Sequence, residues 1–161
     1  MSKIKILVMD VDGTLTDGKI YMGNAGEVYK VFNIKDGCGI RDILLPTKIT
    51  PIIITGRNSL IVERRCKELD IHEIYQGVKN KIDVLMELLI NKQIKLENVA
   101  YIGDDINDLP CMKIIKEAGG VIGCPADATK EVIEIADFVS LKDGGDGAVR
   151  EYIEWILENK I

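Results

Sequence analysis

Two aspartates separated by a single residue are the first side chains in this sequence that suggest chemistry. Asp10 and Asp12 follow the apolar run from Ile4 to Met9, which has the composition of a buried parallel strand. Because residues two apart share one face of an extended chain, both carboxylates can point into one site. They repel each other unless a cation or a proton lies between them, and the hard cation Mg²⁺ prefers such oxygen ligands. The pair therefore favours a magnesium site at the end of a strand.

The segment Asp10–Thr14 taken alone would fit a simple turn equally well, since Asp and Gly are ordinary turn residues. However, polar residues also follow two later predicted strands, Thr55 after one and Asp104 with Asp105 after the other. In a doubly wound sheet such strand ends can meet in one crevice. Lys81 adds a cation at the start of a predicted helix, where amides and an ammonium suit a phosphate. Since an aspartate can attack phosphorus to form an aspartyl phosphate, these residue types predict phosphoryl transfer.

Composition excludes several classes of function. The chain has 161 residues, of which 47% are hydrophobic, which is enough for one domain with a sizeable core. The net charge of −5, without a densely basic stretch, makes nucleic acid and anionic membrane surfaces poor partners. No apolar run approaches the ~20 residues that span a bilayer, and we expect no signal peptide before the first strand. The four cysteines form no CxxC pair and predict reduced thiols in a cytoplasmic protein.

Predicted strands alternate with predicted helices along the chain, a pattern typical of a doubly wound parallel sheet. We therefore expect an α/β, Rossmann-like fold with helices on both faces of the sheet, formed by a single domain over residues 1–161. Two β-rich runs, 19–22 and 27–32, flank a Gly/Asn turn and predict a β-hairpin after the first strand. A two-stranded hairpin is not stable alone, so it must pack on this subunit or on another copy.

Other local patterns give more detailed expectations. Asp36 opens a predicted short helix that Pro46 closes. A helix over residues 79–91 is expected to bury one face, formed by Ile82, Leu85, Met86 and Leu89 at helical spacing. The Gly-rich segment 143–147 predicts a flexible loop before the last helix.

The polar residues, taken in chain order, resemble a known family. Asp10 with Asp12, then Thr55, Lys81 and Asp104 are similar to the four motifs of the haloacid dehalogenase superfamily of phosphatases. Within that superfamily, further segments resemble the 3-deoxy-D-manno-octulosonate 8-phosphate phosphatase family across essentially the whole chain. These segments are 16–18 with the hairpin, 32–37, 39–41, 75–77 and 144–151. The resemblance implies a Mg²⁺-dependent hydrolase of this sugar-acid phosphate, acting in lipopolysaccharide precursor biosynthesis.

The resemblance also implies a role for each matching residue. Asp10 would be the nucleophile and Asp12 the general acid and later base, while Asp10, the Asp12 backbone carbonyl and Asp104 would hold Mg²⁺. The remaining roles would be phosphate binding by Thr55, Gly56 and Lys81, support of the metal site by Asp105 and Asp108, and substrate binding by Arg57. The alternatives to these roles are a helix cap for Asp108 and a surface position for Arg57.

The resemblance also bears on the architecture. Many superfamily members carry a cap domain, but residues 14–36 leave room only for a hairpin and residues 76–81 leave none. The family forms a tetramer in which hairpins pack together, so a homotetramer is expected.

Two alternative functions remain open from the sequence. One is a phosphatase for a nine-carbon sugar-acid 9-phosphate, although those relatives place an acidic residue where this chain has Arg57. An arginine fork suits a substrate carboxylate. The other is a non-catalytic oligomerisation module of a sugar cytidylyltransferase system, which should have lost Asp10 or Lys81.

Overall fold

A six-stranded sheet forms the centre of the protein in a computed structural model that describes residues 3–159. The strands are β1 (Ile6–Met9), β4 (Thr50–Ile54), β5 (Glu73–Tyr75), β6 (Val99–Ile102), β7 (Val121–Cys124) and β8 (Phe138–Val139). Their spatial order is β5-β4-β1-β6-β7-β8, and all neighbouring strands run parallel. The predicted doubly wound parallel sheet is therefore confirmed. Positions 1, 2, 160 and 161 of the predicted domain lie outside the described residues.

Helices cover both faces of this sheet. They are α1 (Ile34–Cys38), α2 (Leu60–Glu68), α3 (Lys81–Lys92), α4 (Leu109–Glu117), α5 (Lys130–Ile135) and α6 (Ala148–Glu158). Alternation along β1 divides the core, because successive strand residues point to opposite faces. Leu7 and Met9 join the core that contains residues of α2 and α6, whereas Ile6 and Val8 join the core of α3, α4 and α5. Burial on both faces explains why β1 reads as a continuous apolar run.

The predicted hairpin is present as a separate two-stranded sheet, formed by β2 (Tyr21–Gly23) and β3 (Gly26–Tyr29). Within residues 3–159 it is the only strand pair between β1 and α1, and no cap domain is inserted there. Its apolar side chains are largely exposed, with Ile20 at 56%, Met22 at 63% and Val28 at 58% exposure. The hairpin therefore presents an apolar surface that this subunit does not cover.

Register in the hairpin is irregular at one position. Tyr21 pairs with Tyr29 and Met22 pairs with Glu27, so Val28 is an extra residue in β3. Such a bulge interrupts the alternation of faces along a strand. Glu27 and Lys30, three residues apart, can therefore project to the same side of the hairpin.

Three local expectations were wrong in detail. The helix predicted from Asp36 begins at Ile34, continues as a π-helical turn over Gly39–Leu44 and ends in a 3₁₀ turn. Met86 is exposed, and Leu88 takes its place on the buried face of α3. The Gly-rich segment is packed, since Gly144 is buried. No helix within residues 3–159 is both long enough and apolar enough to cross a bilayer.

Candidate active site

Three adjacent parallel strands end at one edge of the sheet and bring the predicted polar residues together. Asp10 follows β1, Thr55 follows β4 and Asp104 follows β6. A surface cleft at this edge is lined by residues from the ends of all three strands, namely Asp10, Asp12, Thr55, Gly56, Arg57, Asp105 and Asn107. The arrangement agrees with the general rule that ligands bind beyond the carboxyl ends of strands where the order of a doubly wound sheet reverses.

Lys81, the first residue of α3, lies between two of the carboxylates. Its Nζ is 2.8 Å from Asp10 Oδ1 and 2.8 Å from Asp108 Oδ1, and only 3% of the residue is exposed. Burial opposes the charge of this ammonium, but Asp10 and Asp108 outweigh it and raise the pKa of Lys81. Lys81 is therefore a buried cation held between Asp10 and Asp108, a very different position from that of a solvated helix residue.

Asp108 is the most fully bonded carboxylate of the site. Its Oδ1 accepts hydrogen bonds from Lys81 Nζ at 2.8 Å and Tyr101 Oη at 2.7 Å. Its Oδ2 accepts from the backbone amides of Asp104 at 3.1 Å and Asp105 at 3.4 Å. The residue precedes α4, but its side chain does not cap that helix. Since a carboxylate has about four lone-pair sites, Asp108 has no further capacity to accept from a ligand.

Gly103 explains how Asp108 reaches this position. A Cβ atom built on Gly103 would lie 2.4 Å from the carboxyl carbon of Asp108. Only glycine lets the buried carboxylate pass so close to the end of β6, where it joins Lys81 to the loop that carries Asp104.

The acidic cluster has more negative charge than the protein itself balances. Carboxylate oxygens of Asp10, Asp104 and Asp108 all lie within 4.8 Å of one another. Burial, and then the charges of Asp10 and Asp108, raise the pKa of Asp104 to about 8. Burial, and then Asp108, raise the pKa of Asp10 to about 6 even though Lys81 opposes the shift. Without a further cation, the carboxyl groups of Asp10 and Asp104 are close enough to share a proton.

A hard divalent cation fits in place of that proton. Asp108 is saturated by donors, whereas Asp104 Oδ1 takes a hydrogen bond from the Thr14 hydroxyl at 3.2 Å and its carboxylate faces Asp10. A Cβ atom on Gly13 would lie 2.0 Å from Asp104 Oδ2, so the absence of a side chain there keeps this carboxylate in the site. The donor set consists of oxygen atoms, as Mg²⁺ requires, and Asp10 and Asp104 are the pair best placed to hold it.

The Asp12 side chain is not part of this cluster and contacts the hairpin instead. Its Oδ1 is paired with Lys30 Nζ, and the same ammonium lies 3.1 Å from Glu27 Oε2. Glu27 in turn contacts Arg57 Nη2 at 3.3 Å and the Ser59 hydroxyl at 3.3 Å. Ser59 occupies the cap position of α2, but its side chain makes this contact and no capping bond.

The Gly-rich segment holds the loop that follows β1. Gly145 N donates to Thr14 O at 3.1 Å, and Gly144 N donates to Asp127 Oδ1 at 2.9 Å. A Cβ atom on Gly144 would lie 1.9 Å from Gly13 O, so any side chain there would displace the loop between Asp12 and Thr14. The segment is therefore part of the scaffold that positions the loop between Asp12 and Thr14.

Other predicted residues differ in how closely they join the site. Thr55 is buried at the end of β4, while Gly56 and Arg57 line the rim and are exposed. Asp105 is exposed, and its Oδ1 accepts from the Ile106 amide at 2.7 Å. Asp105 and Asp108, which the sequence treats alike, thus occupy very different environments.

Sequence reasoning missed four residues that the structure brings to the site. Thr14 and Tyr101 bond the carboxylates of Asp104 and Asp108, and Glu27 and Lys30 reach the site from the hairpin. The one available signal was the polar character of Glu27 and Lys30 within an otherwise apolar hairpin.

Comparisons with known proteins identify the family of this chain. The family model described as haloacid dehalogenase-like hydrolase matches residues 58–153. The 3-deoxy-D-manno-octulosonate 8-phosphate phosphatase of Escherichia coli strain K12 is 47% identical over 154 residues, which cover 96% of this chain and 79% of that protein.

Two solved structures show the same fold. The phosphatase of the same name from Yersinia pestis superposes with a TM-score of 0.91 at 43% identity, covering 99% of this chain and 83% of that chain. The one from Moraxella catarrhalis, in complex with a magnesium ion, a phosphate ion and a KDO molecule, gives 0.88 at 40% identity, covering 98% and 87%. This chain therefore belongs to the haloacid dehalogenase-like hydrolases, and within them to the family of the 3-deoxy-D-manno-octulosonate 8-phosphate phosphatases.

Proposed function

We propose that this protein is a Mg²⁺-dependent phosphatase that hydrolyses 3-deoxy-D-manno-octulosonate 8-phosphate to the free sugar acid and phosphate. The observation that carries the proposal is the convergence of Asp10, Asp104 and Lys81 at one sheet edge, in a chain 47% identical to phosphatases of this name. Transfer of a phosphoryl group needs a positioned nucleophile and positive charge that stabilises the phosphoryl oxygens. A buried carboxylate, a buried ammonium and a divalent-cation site can supply these.

Asp10 is the proposed nucleophile. One of its carboxylate oxygens attacks phosphorus, and the bond from phosphorus to the sugar oxygen breaks. Lys81 fixes the orientation of Asp10 through a 2.8 Å contact and places positive charge where the phosphoryl oxygens must lie. Thr55 and the Gly56 backbone line the same cleft and are the proposed phosphate contacts.

Asp12 moves the protons. It gives a proton to the leaving sugar oxygen in the first half-reaction. Water then attacks the phosphorus of the aspartyl phosphate, gives its proton to Asp12 and releases phosphate as the bond to Asp10 breaks. The side chain of Asp12 is partly exposed in the cleft, so it can reach both the leaving oxygen and water.

Mg²⁺ would be held by Asp10 and Asp104, with the Asp12 backbone carbonyl as a further proposed ligand, and it supplies charge stabilisation to the transferring phosphoryl group. Asp108 supports this set without being a ligand, because Lys81, Tyr101 and two backbone amides saturate it. Asp105 lies at the edge of the cleft and its proposed supporting role is the weaker of the two.

Arg57 is the proposed contact for the substrate carboxylate. It lies on the rim of the cleft and its side chain is 44% exposed, so donors remain available after the contact with Glu27. The resemblance places an acidic residue at this position in the nine-carbon relatives. The arginine of this chain therefore supports the eight-carbon substrate over the nine-carbon alternative.

Phosphate release from a panel of sugar-acid phosphates tests the proposal. The specificity constant should be highest for the eight-carbon acid phosphate, a chelator should abolish turnover, and Asp10→Asn should be inactive. A preference for a nine-carbon 9-phosphate would support the first alternative. No phosphate release from any of these substrates with Mg²⁺ present would leave the oligomerisation module as the better explanation.

Assembly as a homotetramer is part of the proposal. It is supported by the exposed apolar residues of the hairpin, among them Met22 and Val28, which have no cover within the subunit. A cytoplasmic location is supported by four free cysteines, since reduced thiols are typical of that compartment. Light scattering on the purified protein tests the tetramer directly.

A further inference from the structure

The hairpin contacts the site through a buried lysine. Only 3% of the Lys30 side chain is exposed, and its ammonium touches the carboxylates of Asp12 and Glu27. A buried ammonium is costly unless it is paired on both sides, so this contact constrains all three side chains. The bulge at Val28 is what lets Glu27 and Lys30 point towards the cleft together.

Glu27 anchors this lysine to a second element. Its Oε2 lies 3.1 Å from Lys30 Nζ and 3.3 Å from Arg57 Nη2, while its Oε1 accepts from Ser59. Arg57 and Ser59 belong to the segment between β4 and α2, so the pair ties the hairpin to the rim of the cleft.

The base of the hairpin is fixed independently of the site. The Tyr21 hydroxyl is bonded to Asp17, and the Tyr21 and Tyr29 rings stack with centroids 4.6 Å apart. Thr16 pairs with Phe32 across the base. The hairpin backbone that carries Lys30 is therefore held in place, and Lys30 can fix the position of the Asp12 side chain.

We infer that Lys30 is a positioning residue for the reaction, which holds Oδ1 of Asp12 so that Oδ2 is the oxygen that exchanges protons with the leaving group and water. Glu27 holds Lys30 in turn and couples it to Arg57. This inference rests on the proposed function, because it concerns the proton-transfer role of Asp12.

Leaving-group chemistry tests the inference. p-Nitrophenolate leaves without a proton, so formation of the aspartyl phosphate from p-nitrophenyl phosphate does not need a well-placed acid. Hydrolysis of the aspartyl phosphate does need Asp12 to take a proton from water. In Lys30→Met with Mg²⁺ present, we expect a rapid burst of p-nitrophenol followed by turnover reduced about 10²-fold, within the usual range for general acid–base catalysis.

The control is Lys19→Met, which removes an exposed lysine at the base of the same hairpin and should match the wild type. Glu27→Gln should also show a burst followed by slow turnover, with a smaller loss of turnover than Lys30→Met. It replaces Lys30→Met as the test variant if Lys30→Met does not fold. Turnover equal to that of Lys19→Met, or a burst that is lost together with turnover, would overturn the inference. A wild type that releases no p-nitrophenol with Mg²⁺ would instead refute the proposed function.

Discussion

The replacement Asp108→Asn tests the central packing argument for the site, because it keeps the shape of the side chain and removes its charge. An asparagine offers one oxygen and one NH₂ group in place of two oxygens. Asp108 accepts from Lys81 and Tyr101 on one oxygen and from two backbone amides on the other. In either orientation the NH₂ group therefore faces two donors, and two hydrogen bonds are lost.

The magnitude follows from those two bonds. Hydrogen bonds to a charged group contribute roughly 1.5–3 kcal/mol each, and breaking a buried ion pair costs roughly 3–5 kcal/mol. We therefore expect Asp108→Asn to lower the free energy of unfolding by about 3–5 kcal/mol. Saturating Mg²⁺ should be present in the assay, because the repulsion between Asp108 and the other carboxylates otherwise offsets part of this loss.

Urea unfolding of Asp108→Asn beside Asp105→Asn gives the matched comparison. Asp105 is exposed and bonds the amide of the next residue, so its replacement should change the free energy of unfolding by no more than about 0.5 kcal/mol. Equal losses in the two variants would refute the assignment of Asp108 as the buried centre of the network.

Three further predictions concern pH, substrate recognition and assembly. Asp10 and Asp104 have pKa values raised to about 6 and about 8, so the native state binds more protons than the unfolded state between pH ~4 and ~8. The melting temperature in chelator should therefore fall as pH rises, and Mg²⁺ should reduce the fall; a flat profile in chelator would contradict this. Arg57→Gln should reduce the specificity constant for the sugar-acid phosphate more than that for p-nitrophenyl phosphate. The difference should correspond to a loss of transition-state stabilisation of about 1.5–3 kcal/mol, and equal losses would exclude a carboxylate contact. The double replacement Val28→Glu with Val31→Lys should dissociate the tetramer, because it buries charge at the proposed interface, and light scattering measures the change. A wild type that is already monomeric would contradict the proposed assembly.

The sequence by itself determined the fold class and the strand ends that carry the polar residues. The composition of Ile6–Met9 and Val99–Ile102 is a local property, and a strand buried on both faces must be apolar throughout. In a parallel sheet all strands end at the same edge, so the sequence pattern could place Asp10 and Asp104 on that edge. The strand order that makes β1 and β6 neighbours came from the structure.

Only the tertiary structure decided which polar residues are buried and what they touch. Asp105 and Asp108 have the same side chain in the same segment, yet Asp108 is buried because Gly103, Tyr101 and Lys81 leave it a space lined with donors. Burial of a charge depends on partners from distant elements, and no local periodicity records them.

The side-chain directions in the hairpin were also decided by the tertiary structure. Strict alternation along β3 and into the next residue would have placed Glu27 and Lys30 on opposite faces. The bulge at Val28 turns both towards the cleft. A one-residue irregularity in pairing reverses every side chain beyond it, so the contact between Lys30 and Asp12 is a property of the folded register.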